Sequence, residues 1–327
     1  MKMRTLGACG PDVGAIGLGC MSFGGMSGDT DPSTSFAAMD AAWAAGITHF
    51  DTANVYGPHI SEQVVGQWID ARGARPSIAT KAGIQRDPDH PVNNDPTYLE
   101  AELDGSLNRL GVERVDVFYI HRREQAIPIA DVAGFMGRMI DKGKIGGWGM
   151  SEISPTTLRQ AHAETPVRAV QNEYSLWTRL PELGLLDECA RLGVSFVAFS
   201  PLARGVFGRN VIDPDHPDFG PFRTEMPRFQ GENWVQNKNR AMAFHMIADE
   251  YGASVPALAL AWVLAQGDHI IPIPGSRSAA HIKDWAMADD IILTPDLQAK
   301  IDAVLPVGWA WGDRYSAAQS RAPEQYC

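Results

Sequence analysis

The chain has 327 residues, 45% apolar and 20% charged, with 32 glycines and 22 prolines, a composition that supports a sizeable core and excludes disorder, collagen and small disulfide scaffolds. Its net charge of −11 is scattered, with no basic block, which argues against nucleic acid or an anionic membrane as a partner. The longest apolar stretch, Val255 to Ala265, contains a proline and falls well short of the roughly 20 residues that span a bilayer. The start, MKMRTLGACGPDVG, lacks an unbroken apolar run, so no signal peptide and a cytoplasmic location are expected. Cys9, Cys20, Cys189 and Cys327 show no CxxC or zinc-ligand spacing, which fits a reduced compartment and no metal site. Cys327 is the last residue rather than the fourth from the end, so a prenylation box is absent.

In chain order, Thr5 to Ile16 turns at Gly10-Pro11-Asp12 and predicts a β-hairpin (residues 1–15) that could plug the bottom of a barrel. Eight short β-branched and aromatic runs then predict buried strands: Ile16–Phe23, Ile47–Ala53, Ser77–Lys81, Val115–His121, Ile145–Ser151, Ala169–Tyr174, Val194–Leu202 and Ile270–Pro274. Helical patterns alternate with them over Ser33–Ala44, Ser61–Ala71, Thr97–Leu110, Ile129–Asp141, Pro155–Ala163, Pro181–Leu192, Lys238–Tyr251, Val255–Ala265 and Ala279–Ala288. Gly46, Gly111, Gly143, Gly193 and Gly252 follow helix ends, where a left-handed residue is favoured. No linker interrupts the series. Eight β/α units therefore predict an α/β fold, an (α/β)8 TIM barrel in a single domain spanning 1–327. An open doubly wound sheet is the rival, disfavoured because no GxGxxG follows the first strand. A long loop, 203–237, follows the seventh strand, and a tail, 306–327, carries Trp309 and Trp311; loops of that length usually carry function.

Barrel enzymes place catalytic groups at the C-terminal ends of strands. Here the second strand ends in Asp51, with Tyr56 close behind in DTANVYG; the third ends in Lys81 and the fourth in His121. A lysine ammonium beside a tyrosine lowers the phenol pKa, an aspartate holds the lysine, and an imidazole can bond a developing alkoxide. That set suits proton donation to a carbonyl oxygen and leaves a hydride donor to be found. No acyl-transfer nucleophile or paired glycosidase carboxylates accompany it, and only His121 of nine histidines ends a strand, which disfavours a metal-dependent hydrolase.

DTANVYG, the ATK ending at Lys81, YIH, GMSE, QNEYSLW, FSPLARG, PRFQGENW and IPIPGSR, in that order and over nearly the whole chain, resemble the aldo-keto reductases. QNEYSLWTR, PRFQGENW and GDRY (Gly312 to Tyr315) are most similar to the bacterial, fungal and plant branch with pyridoxal-reductase-like enzymes. The resemblance implies an (α/β)8 barrel binding NADP(H) and passing hydride between nicotinamide and a small-molecule aldehyde, ketone or alcohol. Asp51, Tyr56, Lys81 and His121 match the family's catalytic four, with Tyr56 as proton donor. Ser151 and Gln171 match the nicotinamide carboxamide pair, with Glu152 beside them; Phe199 matches the stacking aromatic, Ser200 and Leu202 the pyrophosphate contacts, and Met21 a backbone contact near the ring. Gly275, Ser276, Arg277, His281 and Asp284 fall at adenosine positions, Arg277 being the candidate for the 2′-phosphate. His281 replaces a frequent Arg or Gln and Trp285 a frequent Asn, so NADPH is the expected cofactor and NADH stays possible. Met21, Phe23, Trp177, Trp309 and Trp311 are candidate pocket walls. The resemblance extends to potassium-channel β subunits that bind NADPH, so a slow-turnover redox sensor is the alternative to a carbonyl reductase, as is a dehydrogenase working toward alcohol oxidation. Oligomeric state is not legible.

Overall fold

The computed structural model describes residues 1–25, 31–85, 87, 89–216 and 219–325; Cys327, at the end of the expected tail, lies outside them. A hairpin of β1 (Met3–Thr5) and β2 (Asp12–Gly14) precedes eight parallel strands: β3 (Leu18–Gly19), β4 (His49–Asp51), β5 (Ser77–Ala82), β6 (Val117–Ile120), β7 (Trp148–Ser151), β8 (Ala169–Glu173), β9 (Ser195–Phe199) and β10 (Ile270–Ile273). They pair in sequence order from β3 to β10. The Gly17 and Gly19 amides then donate to the Pro272 and Pro274 carbonyls at 2.9 and 2.8 Å, closing the sheet on itself. The expected barrel is therefore the observed fold.

Around it lie α1 (Pro32–Ala44), α2 (Ile60–Arg72), α3 (Pro96–Leu110), α4 (Ile129–Asp141), α5 (Pro155–Glu164), α6 (Leu185–Leu192), α7 (Pro221–Thr224), α8 (Gly231–Tyr251), α9 (Val255–Leu264), α10 (Ala279–Ala286) and α11 (Pro295–Val304). Their starts are written locally. Asp31, Asp95, Ser154 and Thr294 each accept a bond from a first-turn amide and are followed by proline at the first helical position, where a missing N–H costs nothing. The glycines expected after helix ends all have positive φ, from 68° at Gly111 and Gly193 to 82° at Gly46. All ten residues of α9 are buried, so its unbroken apolar run marks a helix covered on every side.

The strand period of two divides the barrel. One set of side chains, Ala79, Val117, Tyr119, Ala169, Val197, Ile271 and Ile273, fills the lumen, joined from below by Leu6 and Val13 of the hairpin. The hairpin thus does plug the bottom, and Arg4 fixes it by donating to the carbonyls of Leu264, Gly267 and Ile270. Gly149 is the concession that lets this layer pack: a Cβ there would lie 2.4 Å from the Tyr119 ring.

Four elements differ from the sequence pattern, one of them α11, where no helix was expected. The first barrel strand has only two residues, because Met21–Gly24 coils into a 3-10 turn. The segment 203–237 is less irregular than expected: it contains α7, and α8 begins at Gly231 rather than Lys238. Gly184, at φ 107°, separates a 3-10 turn at Leu180–Glu182 from α6, where one helix was expected. Among the described residues, no helix is long and apolar enough to cross a membrane.

Candidate active site

The lumen positions one step above the apolar layer hold Asp51, Lys81, Ser151, Gln171 and Phe199, the alternation placing one side chain from each of β4, β5, β7, β8 and β9 at the C-terminal mouth. Lys81, fully buried, donates to Asp51 Oδ1, to the Thr52 carbonyl at 2.8 Å and toward the Tyr56 hydroxyl at 3.4 Å. The other Asp51 oxygen accepts from Gln171 Nε2 at 2.7 Å. Both carboxylate oxygens are thus committed, and the ammonium is held from three sides.

Tyr56 comes from the loop after β4. That loop sits against the Met21–Gly24 turn through two glycines with no room for a side chain: a Cβ on Gly57, whose φ is 80°, would lie 2.4 Å from the Gly24 carbonyl oxygen. The Tyr56 ring then meets His121 edge-on, centroids 5.8 Å apart and planes at 80°. His121 is buried, and its Nδ1 has no hydrogen-bond partner among the described residues.

Each titratable group is tuned by burial against its neighbours. Burial pushes the Tyr56 phenol up, while the Lys81 charge, and after it Arg122, pull it down. Burial alone would depress Lys81, but Asp51 and Tyr56 outweigh it and hold the amine above its ordinary value. His121 is held well below the usual imidazole value, first by burial and then by Arg122 and Lys81, so the ring is neutral at pH 7. A neutral imidazole, a charged ammonium and a protonated phenol therefore face one another.

The structure brings the expected nicotinamide-end residues to the same rim with partners of their own. Ser151 Oγ accepts from Arg122 Nη1 at 3.0 Å, the same nitrogen donating to the His121 carbonyl at 2.6 Å. Glu152, in a left-handed conformation at φ 57°, turns its carboxylate to the Arg314 guanidinium and to the Glu173 amide, so its charge is engaged by the C-terminal tail. Phe199 is half-buried, with the Arg204 guanidinium 5.4 Å from its ring centroid. Ser200, Ala203 and Arg204 carry φ of 49°, 51° and 59°, a run of left-handed non-glycine residues where β9 ends and Leu202 opens a 3-10 turn. Such backbone outliers concentrate at ligand-binding turns. Met21 is 39% exposed on the turn after β3.

The adenosine-end residues gather at the end of β10 and the start of α10. Gly275 lies against Gly19; Ser276 Oγ bonds the Ser278 amide and pairs with His281 Nδ1 at 3.3 Å; Arg277 is half-buried beside them. Asp284 forms a two-point ion pair with Arg209 of the long loop, at 2.5 and 2.7 Å. Trp285 is 2% exposed and belongs to the core. So do Phe23, Trp177 and Trp309, the last two stacked at 6.1 Å, whereas Trp311 is half exposed.

Sequence reasoning missed Arg122, Arg204, Arg314 and Tyr119. Arg204 pairs with Glu173 and the Tyr315 hydroxyl, and Arg314 with Glu152, a buried network that fastens the tail over the ends of β7 and β8. Glu324 extends it, bonding Arg123, Thr157 and the Ser154 amide. Among the described residues, no group of three His, Cys, Asp or Glu side chains could hold a metal ion.

The architecture, an eight-stranded α/β barrel with an Asp, Lys, Tyr and His cluster at its mouth, has close parallels among known proteins. A family model described as the aldo/keto reductase family matches residues 15–306. A soybean (Glycine max) protein named probable aldo-keto reductase 1 is 36% identical over 314 residues, covering 95% of this chain and 90% of its own length. An aldo-keto reductase [NADP(+)] of Schizosaccharomyces pombe is 36% identical over 280 residues, covering 83% of this chain and 82% of its own. In structure, a glycerol dehydrogenase of Gluconobacter oxydans superposes with a TM-score of 0.83 at 26% identity, over 93% of this chain and 94% of that one. An aldo-keto reductase of Klebsiella pneumoniae in complex with NADPH gives 0.73 at 26% identity, over 94% and 96%. The chain belongs to the aldo/keto reductase family.

Proposed function

We propose that the protein is an NADP(H)-dependent oxidoreductase that interconverts a small aldehyde or ketone and its alcohol, with Tyr56 as the proton donor. The approach of the Lys81 ammonium to the Tyr56 hydroxyl, with the ammonium anchored on Asp51, carries this reading. A phenol so placed gives up its proton to an oxygen gaining charge, and the ammonium stabilises the phenolate left behind. Neutral His121 can donate to the same oxygen without competing for the proton. The Asp51–Gln171 bond fixes the carboxylate, so the ammonium does not wander as charge moves.

The donor set fits a dinucleotide. Ser151, Gln171 and the half-buried Phe199 ring offer hydroxyl, amide and an aromatic face for a nicotinamide; Ser200 and Leu202 border a turn for a pyrophosphate; and Ser276, Arg277 and the start of α10 offer a hydroxyl, a cation and a helix N-terminus for an adenosine phosphate. The cofactor, when bound, supplies the hydride. Asp284 and Glu152 reach that role only if their ion pairs with Arg209 and Arg314 open or are shared. A cytoplasmic setting is consistent with Cys9, Cys20 and Cys189 being free thiols.

Absorbance at the NADPH band, with purified protein and a panel of aromatic, aliphatic and sugar aldehydes plus pyridoxal, tests the reading. Multiple turnovers are expected, falling about 10²- to 10⁴-fold in Tyr56→Phe while cofactor binding persists. Near-normal turnover in that variant would remove Tyr56 from the role, and a single stoichiometric oxidation of bound cofactor would favour the sensor instead. The ratio of NADPH to NADH turnover, before and after Arg277→Met, reads the cofactor choice.

A further inference from the structure

We infer that Arg122 is a specificity-determining residue that selects substrates bearing a carboxylate, making the mouth an anion-accepting one; this rests on the oxidoreductase reading above. Three observations converge. First, three arginines at the rim are neutralised, Arg123 by Glu324, Arg204 by Glu173 and Arg314 by Glu152, while Arg228 spends its donors on the Trp177 and Gly312 carbonyls and the Thr178 hydroxyl. Arg122 makes no ion pair with a carboxylate among the described residues, and its only hydrogen-bond acceptors there are a backbone carbonyl and a serine hydroxyl.

Second, it is held in place. Both of those bonds come from Nη1, on His121 and Ser151, which end the neighbouring strands β6 and β7. The rest of the guanidinium fork keeps donors in a plane suited to a carboxylate, and the side chain is half-buried rather than sealed. Third, the charges around Tyr56 and His121 do not balance. Lys81 from β5 and Arg122 after β6 are cationic, and both act on Tyr56 and His121; Asp51 from β4 is the carboxylate acting on Tyr56, already bonded by Lys81 and Gln171. Tyr119 is protonated and Glu152 is paired with Arg314. A local excess of one positive charge, in a chain of net charge −11, is a feature of the mouth rather than of the protein. A carbonyl compound carrying a carboxylate would supply the missing anion without touching the proton-donating pair.

The test compares 4-formylbenzoate with its methyl ester, which keeps the ring and the reacting aldehyde but removes the charge, at saturating NADPH. The KM of the acid is expected to be about 10-fold or more below that of the ester, a gap that narrows with salt. Arg122→Gln should bring the ratio near one and Arg122→Lys, which keeps a point charge without the fork, should give an intermediate ratio. A residue that merely holds Ser151 and His121 would slow both substrates alike and leave the ratio unchanged; that result, or a wild-type ratio near one, overturns the inference. Calorimetric titration of the NADP⁺-loaded protein with benzoate and methyl benzoate reads the same preference without turnover. If neither aldehyde is reduced, the wider carbonyl panel still decides the oxidoreductase reading, and the titration decides this inference separately: benzoate binding that Arg122→Gln abolishes supports an anion site, and equal or absent binding refutes it.

Discussion

Replacing Lys81 with methionine separates the chemistry of the mouth from its stability. At 3.4 Å from Nζ, a full phenolate on Tyr56 would interact with the ammonium by about 5 kcal/mol at an effective dielectric of about 20. If about half a charge has developed at the transition state, the loss is about 2.5 kcal/mol, or roughly 70-fold in turnover; with full development it reaches several thousandfold. The same substitution strands the buried Asp51 carboxylate with Gln171 as its remaining side-chain donor, an expected cost of about 3–5 kcal/mol in unfolding free energy. Because Lys81 lowers the Tyr56 phenol, its removal lets burial push that group higher still. Alcohol oxidation, which needs the phenolate as base, must then move its rising limb to higher pH. Steady-state rates in both directions across pH, with urea unfolding of the same samples, are the assays. In the double variant Asp51→Asn/Lys81→Met the stranded charge is gone, so stability is expected to return while turnover is not. Turnover of Lys81→Met within about threefold of the parent, or activity that recovers together with stability in the double variant, would refute the assignment of the ammonium to the chemical step.

Two further expectations concern the parts that hold the mouth. Gly57→Ala places a methyl group against the Gly24 carbonyl oxygen at a left-handed position, and should cost about 2 kcal/mol or more in urea unfolding and, by displacing Tyr56, lower kcat more than it raises KM; an unchanged kcat would show that the loop tolerates the shift. Arg314→Met leaves the buried Glu152 without its cation, so the unfolding free energy should fall by about 3 kcal/mol and be recovered in Arg314→Met/Glu152→Gln; failure of that rescue would locate the loss in tail packing rather than charge.

What the sequence made legible is what is written locally. Strand runs that end in Asp51, Lys81 and His121 put those groups at the barrel mouth from the sequence alone, because each run carries its own boundary, whereas Gln171 was legible only through the family resemblance. Asp31-Pro32, Asp95-Pro96 and Ser154-Pro155 are local start signals that agree with the helices expected there; α11 offered the same Thr294-Pro295 signal, but with only Leu297 and Ile301 buried it shows little apolar period. The shortening of β3 to two residues has no local signature, since the Met21–Gly24 turn that ends it has neither a side-chain cap nor a proline to mark it. The arginines were illegible for a related reason. Arg314 meets Glu152 across 162 positions and Arg204 meets Glu173 across 31, and an arginine in a polar loop reads as solvated until its partner is placed. The ion pairs of Asp284 and Glu152 could likewise be found only once the long loop and the tail were laid over the barrel.

The seam between Gly17 and Pro272 also sets an order of events. Two amide-to-carbonyl bonds join residues about 255 positions apart, so the cylinder stays open along one side until its eighth strand has left the ribosome. Until then β3 has β4 on one side and exposes an unpaired edge on the other, a state open to pairing with other chains. The tail emerges later still and caps Glu152 and Glu173. Nascent chains of this protein are therefore most vulnerable, and most in need of chaperone cover, at a length at which nearly all of the catalytic cluster has already been made.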